Sequence, residues 1–320
     1  MPASLFLSSG NLIADRRYDF GRDLQLRGDL SAAADLMAQA AELEPGFASA
    51  WFALGDLREQ MGQRDDAVSA YLRARDADPD DRHGAKLRLM RLGVEDLSAM
   101  PPGYVRALFD QYAPRFDKTL VNDLDYRGPA VLLKAVLAAR HAAKLPVHFK
   151  CAIDLGCGTG LELDHIIPAF PEADITGIDL SSVMLNELSS KFPSVHIIQA
   201  DYCKYPFDSN KYDAVISFES LHHLLSEQKL RLYRKIKSCL KETGVFINCD
   251  YFACCDEEET LLLTTLAERR EKSPVLCDKY VHFDIPLTLK HEADLLESAG
   301  FSSCEALSSH SGACFLRASP

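Results

Sequence analysis

The chain has 320 residues, of which 47% are hydrophobic and 26% charged, and its formal net charge is −12. That length allows two domains of ordinary size, and the balance is that of a globular protein rather than a disordered or membrane-embedded one. The acidic surplus disfavours a nucleic-acid binder that works through a basic surface, and no apolar run approaches the roughly 20 residues needed to span a bilayer. The start, MPASLFLSSGNL, has no basic residue ahead of its apolar part, so a cytoplasmic protein with no membrane partner is expected.

Residues 1–14 read as an N-terminal tail. From residue 15 to 95 the chain repeats with a period of 34, since Gly21, Gly28, Ala33, Ala40 and Pro45 recur as Gly55, Gly62, Ala67, Ala74 and Pro79. Small residues let two antiparallel helices approach closely, large ones fill the groove between neighbours, and proline closes each unit. The second copy, WFALGDLREQMGQRDDAVSAYLRARDADP, resembles the tetratricopeptide repeat, with Trp51, Leu54, Gly55, Ala67, Tyr71, Ala74 and Pro79 at motif positions; in the first copy Arg17 stands where tryptophan is expected. Two repeats are fewer than such stacks usually need, so DRHGAKLRLMRLG is expected to add a capping helix. The resemblance implies a concave face for a protein or peptide partner, and a spacer or stabilising cap is the equally open alternative.

Residues 96–145 are expected to connect repeats and sheet through helices that cover the ligand site. Val105, Leu108, Phe109 and Tyr112 share one helical face until Pro114, and VNDLDYRGPAVLLKAVLAAR opens another helix near Pro129. Arginine dominates the basic residues before position 118 and lysine after it, a break that suggests two ancestries joined by fusion. All ten cysteines lie between Cys151 and Cys314 and read as reduced thiols; the adjacent Cys254 and Cys255 suit neither a zinc knuckle nor a redox CxxC, and no metal site is expected.

Residues 146–320 alternate short β-rich runs (CAIDL, DITGIDL, VHIIQAD, YDAVISF, GVFINCD) with helical ones (LELDHIIPAF, VMLNELSSKF, KLRLYRKIKSCL). This order predicts an α/β domain with a doubly wound, mostly parallel, Rossmann-like sheet. FACCDEEETLLLTTLAERREK reads as a helical insertion with a solvated acidic start, and the remainder as a helix, C-capped by Gly300, and a final strand pair. In such sheets ligands bind beyond the carboxyl ends of the strands, where the strand order reverses. At those ends stand Asp154 to Gly160, Asp179, Asp201, and Ser217 to His223.

The glycines of GCGTG, Gly156, Gly158 and Gly160, miss the dinucleotide spacing GxGxxG by one residue, and no Walker lysine follows. Glu162, near the next helix start, would repel a phosphate. A ligand without phosphate fits this loop better.

DLGCGTG resembles the first motif of class I S-adenosylmethionine-dependent methyltransferases, and the likeness covers about residues 100–318. It implies S-adenosylmethionine as cofactor and a methyl transfer to an acceptor. By the same resemblance Asp154 or its adjacent backbone helps hold the methionine end, while Gly156, Cys157, Gly158 and Gly160 admit close backbone approach. Asp179, followed by Leu180, would accept from the ribose hydroxyls or serve as a helix N-cap. Asp201 would accept from the adenine amino group with Tyr202 flanking the ring, and Met184 packs either there or in its helix core. Ser217 closes the fourth strand.

SFESLHHLL resembles small-molecule methyltransferases rather than the NPPY or DPPY enzymes that modify planar amino groups in DNA. Glu219, His222 and His223 are the catalytic candidates at the mouth; one histidine can act as general base, or both can cap or pack a helix start. Tyr112 and Phe116 resemble aromatic residues that cover the cofactor in some relatives, a core role being the alternative, and Arg127 would pair with its carboxylate. A small-molecule acceptor is implied. A tRNA-modifying methyltransferase of the same fold and a cofactor-holding scaffold that recruits partners through the repeats are the alternatives.

Overall fold

Small residues at the predicted spacing bring the first helices together. The computed structural model describes residues 5–94, 102–113, 116–118, 133, 134, 137, 148–262, 286–310 and 313–320. These fall into two units, one of the described residues up to 108 and one of those from 109 on. In the first, α1 (Leu12–Leu26) pairs with α2 (Leu30–Leu43), α3 (Ala48–Gln60) pairs with α4 (Arg64–Ala77), and α5 (Ala85–Arg91) follows. Asn11 and Asp29 cap α1 and α2 through side-chain oxygens. Ala33, Ala40, Ala53, Ala67 and Ala74 are buried, and a Cβ on Gly55 would stand 2.6 Å from the Tyr71 ring, so only glycine permits that approach.

The capping helix is held by charge as well as by buried Leu87 and Leu89. The Tyr71 hydroxyl donates to Asp56 Oδ1 at 2.7 Å and to Glu59 Oε2 at 2.9 Å; from α5, Arg88 Nη2 lies 3.0 Å from Asp56 Oδ1 and Arg91 pairs with Glu59. The N-terminal segment differs from the expected tail. Helix α1 already begins at Leu12, the Phe6 ring packs 5.2 Å from that of Tyr18 and 6.0 Å from that of Phe47, and the Leu7 N–H donates to Ser49 Oγ at 2.9 Å. Tyr18 and Phe47 form an aromatic surface that Phe6 helps to cover.

The second unit is a seven-stranded sheet in the order β3-β2-β1-β4-β5-β7-β6. Its strands are β1 (Cys151–Leu155), β2 (Asp174–Asp179), β3 (His196–Gln199), β4 (Tyr212–Phe218), β5 (Leu240–Tyr251), β6 (Ser303–His310) and β7 (Ala313–Ser319). The first five are parallel, and β7 runs antiparallel between β5 and β6. Successive residues face opposite sides, so Ile153, Leu155, Val215 and Phe246 build one core layer while Ala152, Ile216 and Ile247 build the other. Helices α8 (Leu163–Ala169), α9 (Ser182–Lys191), α10 (Ser226–Cys239) and α11 (Leu289–Ser298) complete the layers.

Gly300, at φ 98°, follows α11 as the expected cap. The expected face of Val105 to Tyr112 lies on α6 (Pro102–Tyr112), and one further turn, α7 (Phe116–Lys118), is described beyond it. Of the expected insertion, residues 256–262 are helical and the stretch from 263 on lies outside the described residues, as does most of the helix expected near Pro129. The strand order reverses between β1 and β4, and this reversal places the site.

Candidate functional site at the strand ends

The loops after the five parallel strands are tied to one another by hydrogen bonds or close packing. After β1 the chain passes through Gly156, Gly158 and Gly160 at φ 77°, 49° and 75°, conformations that favour glycine. The Gly156 N–H donates to the Ile178 carbonyl at 2.8 Å. Asp179, at the end of β2, accepts from the Gly158 N–H through Oδ2 at 2.9 Å and from the Ser181 N–H through Oδ1 at 2.8 Å. Asp179 therefore fastens the glycine loop to the start of α9, whose N-cap is Ser181. A Cβ on Gly156 would stand 2.3 Å from Ser220 Oγ, so the loop after β1 closes on the loop after β4. A Cβ on Gly158 would meet no atom of the described residues within 4 Å, so among them this backbone borders open space.

Beyond β3, Asp201 Oδ1 accepts from the Cys203 N–H at 2.9 Å and Oδ2 lies 3.4 Å from Lys204 Nζ. The Tyr202 hydroxyl and Ser220 Oγ are 2.9 Å apart, and burial pushes the Tyr202 phenol well up, which keeps it neutral. Glu219, beyond β4, has φ 44°, an uncommon conformation for a non-glycine residue, and its N–H donates to the Cys249 carbonyl at 2.7 Å.

At the end of β5, Asp250 gathers four donors. Oδ2 accepts from the backbone of Leu221 at 3.1 Å and of His222 at 3.0 Å; Oδ1 meets His222 Nδ1 at 2.5 Å and the Tyr251 N–H at 3.0 Å. Burial alone would raise the Asp250 pKa, but the charge and hydrogen bond of His222 outweigh it and hold the carboxyl below its ordinary value. Facing an ionised Asp250, Nδ1 carries a proton in either charge state of the ring, which leaves Nε2 as the nitrogen that gains or loses one. His222 is buried on the 3-10 turn Leu221–His223, and the His223 ring packs on it at 3.9 Å between centroids.

The chain before the sheet also reaches these loops. The Ser181 hydroxyl donates to Asp110 on α6, the Thr159 hydroxyl donates to Asp117 on α7, and Lys191 Nζ bonds both Asp117 and, at 3.1 Å, the Thr159 carbonyl. Phe116 packs its ring 6.3 Å from that of Phe109. Under the glycine loop, Asp154 and Glu162 are buried with their carboxyls in contact, and burial raises the pKa of both. Neither oxygen of Asp154, nor Oε1 of Glu162, nor either polar atom of the Asn248 amide has another partner among the described residues.

The remaining candidates are distributed among the core, the loops and a helix end. Ser217 is fully buried and its Oγ donates back to the Leu155 carbonyl at 3.4 Å, because its strand position points it into the sheet's core layer. Met184 is 1% exposed and takes the helix-core alternative. Cys157 packs toward β2, where a Cβ on Gly177 would stand 2.7 Å from its Sγ; burial pushes its thiol far up, as suits an unreactive packing group. Leu180 is half-buried beside Asp179, and its carbonyl accepts from Gln199 at 3.3 Å. Tyr112 ends α6, and Arg127 lies outside the described residues.

Sequence reasoning missed Asp250 and the inward turn of Glu162, and it covered Ser220 only as part of the stretch Ser217 to His223. Asp250 ends its strand much as Asp179 ends β2, so the strand-end rule applied to the earlier strands was the available signal. Among the described residues no group of three or more His, Cys, Asp or Glu side chains is placed to hold a metal, and no helix is long and apolar enough to cross a membrane.

This glycine loop on a doubly wound sheet is the arrangement of class I methyltransferases. Residues 152–244 match the family profile of the methyltransferase domain, and residues 24–89 that of the tetratricopeptide repeat. The chain thus carries a methyltransferase domain preceded by a tetratricopeptide-repeat module.

Among similar proteins, a bifunctional biotin-biosynthesis protein of Teredinibacter turnerae is 29% identical over 159 residues, 46% of this chain and 26% of that one. A human mitochondrial arginine hydroxylase is 34% identical over 107 residues, 32% of this chain and 29% of that one. The chain spans under a third of the length of these relatives. In structure it resembles an O-methyltransferase of Nostoc punctiforme, with TM-score 0.50 and 20% identity, over 76% of this chain and 70% of that one. It also resembles DhpI in complex with SAH, with TM-score 0.50 and 19% identity, over 67% of this chain and 94% of that one.

Proposed function

We propose that the chain binds S-adenosylmethionine at these strand ends and transfers its methyl group to a small-molecule acceptor. The observation that carries this reading is the glycine backbone at Gly158, open on one side among the described residues and fastened by Asp179 on the other. The residues fit such a ligand. Gly156 can bear no side chain against Ser220, and the Asp154 oxygens are buried without a donor from any other described residue. Each Asp179 oxygen that takes a backbone N–H keeps a second lone pair, which suits a ribose hydroxyl. Asp201 and Tyr202 would border the adenine, and Asp154 with the adjacent loop backbone would face the methionine end.

When bound, the cofactor supplies a methyl group on an electrophilic sulfonium. The protein has then to exclude water, align the acceptor and, for an acidic acceptor group, receive a proton. Asp250 orients His222 for that last task, so His222 Nε2 is the proposed proton acceptor, with His223 packed against its ring. A protein or peptide partner on the repeats remains part of the proposal.

Titration calorimetry with S-adenosylmethionine and S-adenosylhomocysteine tests the reading first. Both are expected to bind, and Asp179→Ala to weaken binding by about 1.5–3 kcal/mol, the scale of hydrogen bonds to a charged group. Failure to bind either compound removes both the enzyme and the cofactor-scaffold readings. Binding without labelled-methyl transfer to any small acceptor would favour the scaffold.

A further inference from the structure

We infer that Asp154 and Glu162 hold one proton between them in the free protein and release it when a cationic cofactor enters, so that the site selects its ligand by charge. This rests on the proposed cofactor, although the shared proton itself does not. Asp154 lies in β1 just ahead of the glycine loop and Glu162 just behind it, so the turn of the loop brings the two carboxyls together. They are 1% and 5% exposed. Apart from each other, no partner among the described residues reaches either Asp154 oxygen or Glu162 Oε1. Two carboxylates in contact repel, and a hydrogen bond between them needs a proton that neither ionised form carries.

Among the described residues, the surroundings do not supply the missing positive charge. Asp179 faces the pair from β2, with Asp110 of α6 beside it, and the thiols of Cys157 and Cys249 lie on the loop and on β5. Among the described residues, Lys191, in the last turn of α9, is a cation whose field reaches Glu162, and it is bonded to Asp117 of α7. S-adenosylmethionine carries an ammonium, a sulfonium and a carboxylate, a net single positive charge. Its demethylated thioether product carries none. Entry of the cofactor therefore substitutes one positive charge for another, the proton passing to solvent, and loss of the methyl cation lets a proton return.

Calorimetric titration of the full chain at neutral pH, in buffers of different ionisation enthalpy, counts the protons. S-adenosylmethionine is expected to release up to about one proton and S-adenosylhomocysteine much less, with Glu162→Gln abolishing the difference. Equal heats in all buffers would overturn the inference. Melting of the free protein gives a separate readout that needs no cofactor. A carboxyl raised above its ordinary value contributes stability that is present at low pH and lost as pH rises from about 4. The melting-temperature difference between wild type and Glu162→Gln should therefore shrink as pH rises, and a pH-independent difference would overturn the shared proton. Should Glu162→Gln not fold, Asp154→Asn serves in both measurements. If neither compound binds, the function proposed above fails while the melting curves still decide on the proton.

Discussion

In the repeat unit the buried carboxylates of Asp56 and Glu59 meet a tyrosine hydroxyl and two arginines, whereas in the sheet unit Asp154 and Glu162 meet each other. Arg88 and Arg91 each meet a carboxylate of this cluster, and His83 meets Ser49 and Asp78. Asp154 and Asn248 have no other partner for either polar atom among the described residues. Buried polar groups are ordinarily satisfied, so a paired network reads as architecture and an unpaired cluster as a place prepared for a proton or a ligand. On the proposed function, the contrast sets a paired cluster in the repeats beside a carboxyl pair at the cofactor loop.

The largest expected effect is at the loop. Gly156→Val would force a side chain to within 2.3 Å of Ser220 Oγ at a backbone angle that favours glycine, and should cut S-adenosylmethionine affinity by about a hundredfold or more. Retained affinity by calorimetry, with a native circular dichroism spectrum, would break the assignment of this loop to the site. Next comes Asp250→Asn, which should cost about 1.5–3 kcal/mol of stability and slow turnover, because an amide cannot replace an ionised acceptor for His222. Because the Asp250 pKa is lowered, its contribution is present above the ordinary carboxyl value of 3.8 and lost as pH falls through the folded value. The wild type should therefore lose this advantage over Asp250→Asn in acid melts.

The smallest effect belongs to the architecture. Tyr71→Phe removes one hydroxyl from the Asp56–Glu59 cluster and should lower stability by about 1–2 kcal/mol, read by thermal melting, with cofactor affinity unchanged. A change in affinity would mean that the repeats and the site are coupled.

Much of this was legible. The 34-residue period depends on small residues where helices touch, and Gly55 against Tyr71 shows that contact. The parallel strands followed from short apolar runs alternating with helices, and Asp179 from its place at a strand end. Contacts made across strand ends were not legible: Ser220 meets Gly156 and Tyr202 from a distant part of the chain, and Asp250 takes the His222 side chain and backbone 28 residues away. Glu162 read as a charge near a helix start that would repel phosphate, and only the turn of the loop buries it against Asp154.

The amino-acid sequence by itself determined the order of elements, the two modules and the residue types at each strand end, because periodicity and glycine placement act locally along the chain. Only the tertiary structure decided where each side chain lies. Ser217 and Met184 went into the core and Cys157 into packing against β2, while Asp250 was set to orient His222. The physical reason is that the facing of a strand residue and the partners of a buried charge depend on neighbours that folding alone brings into contact.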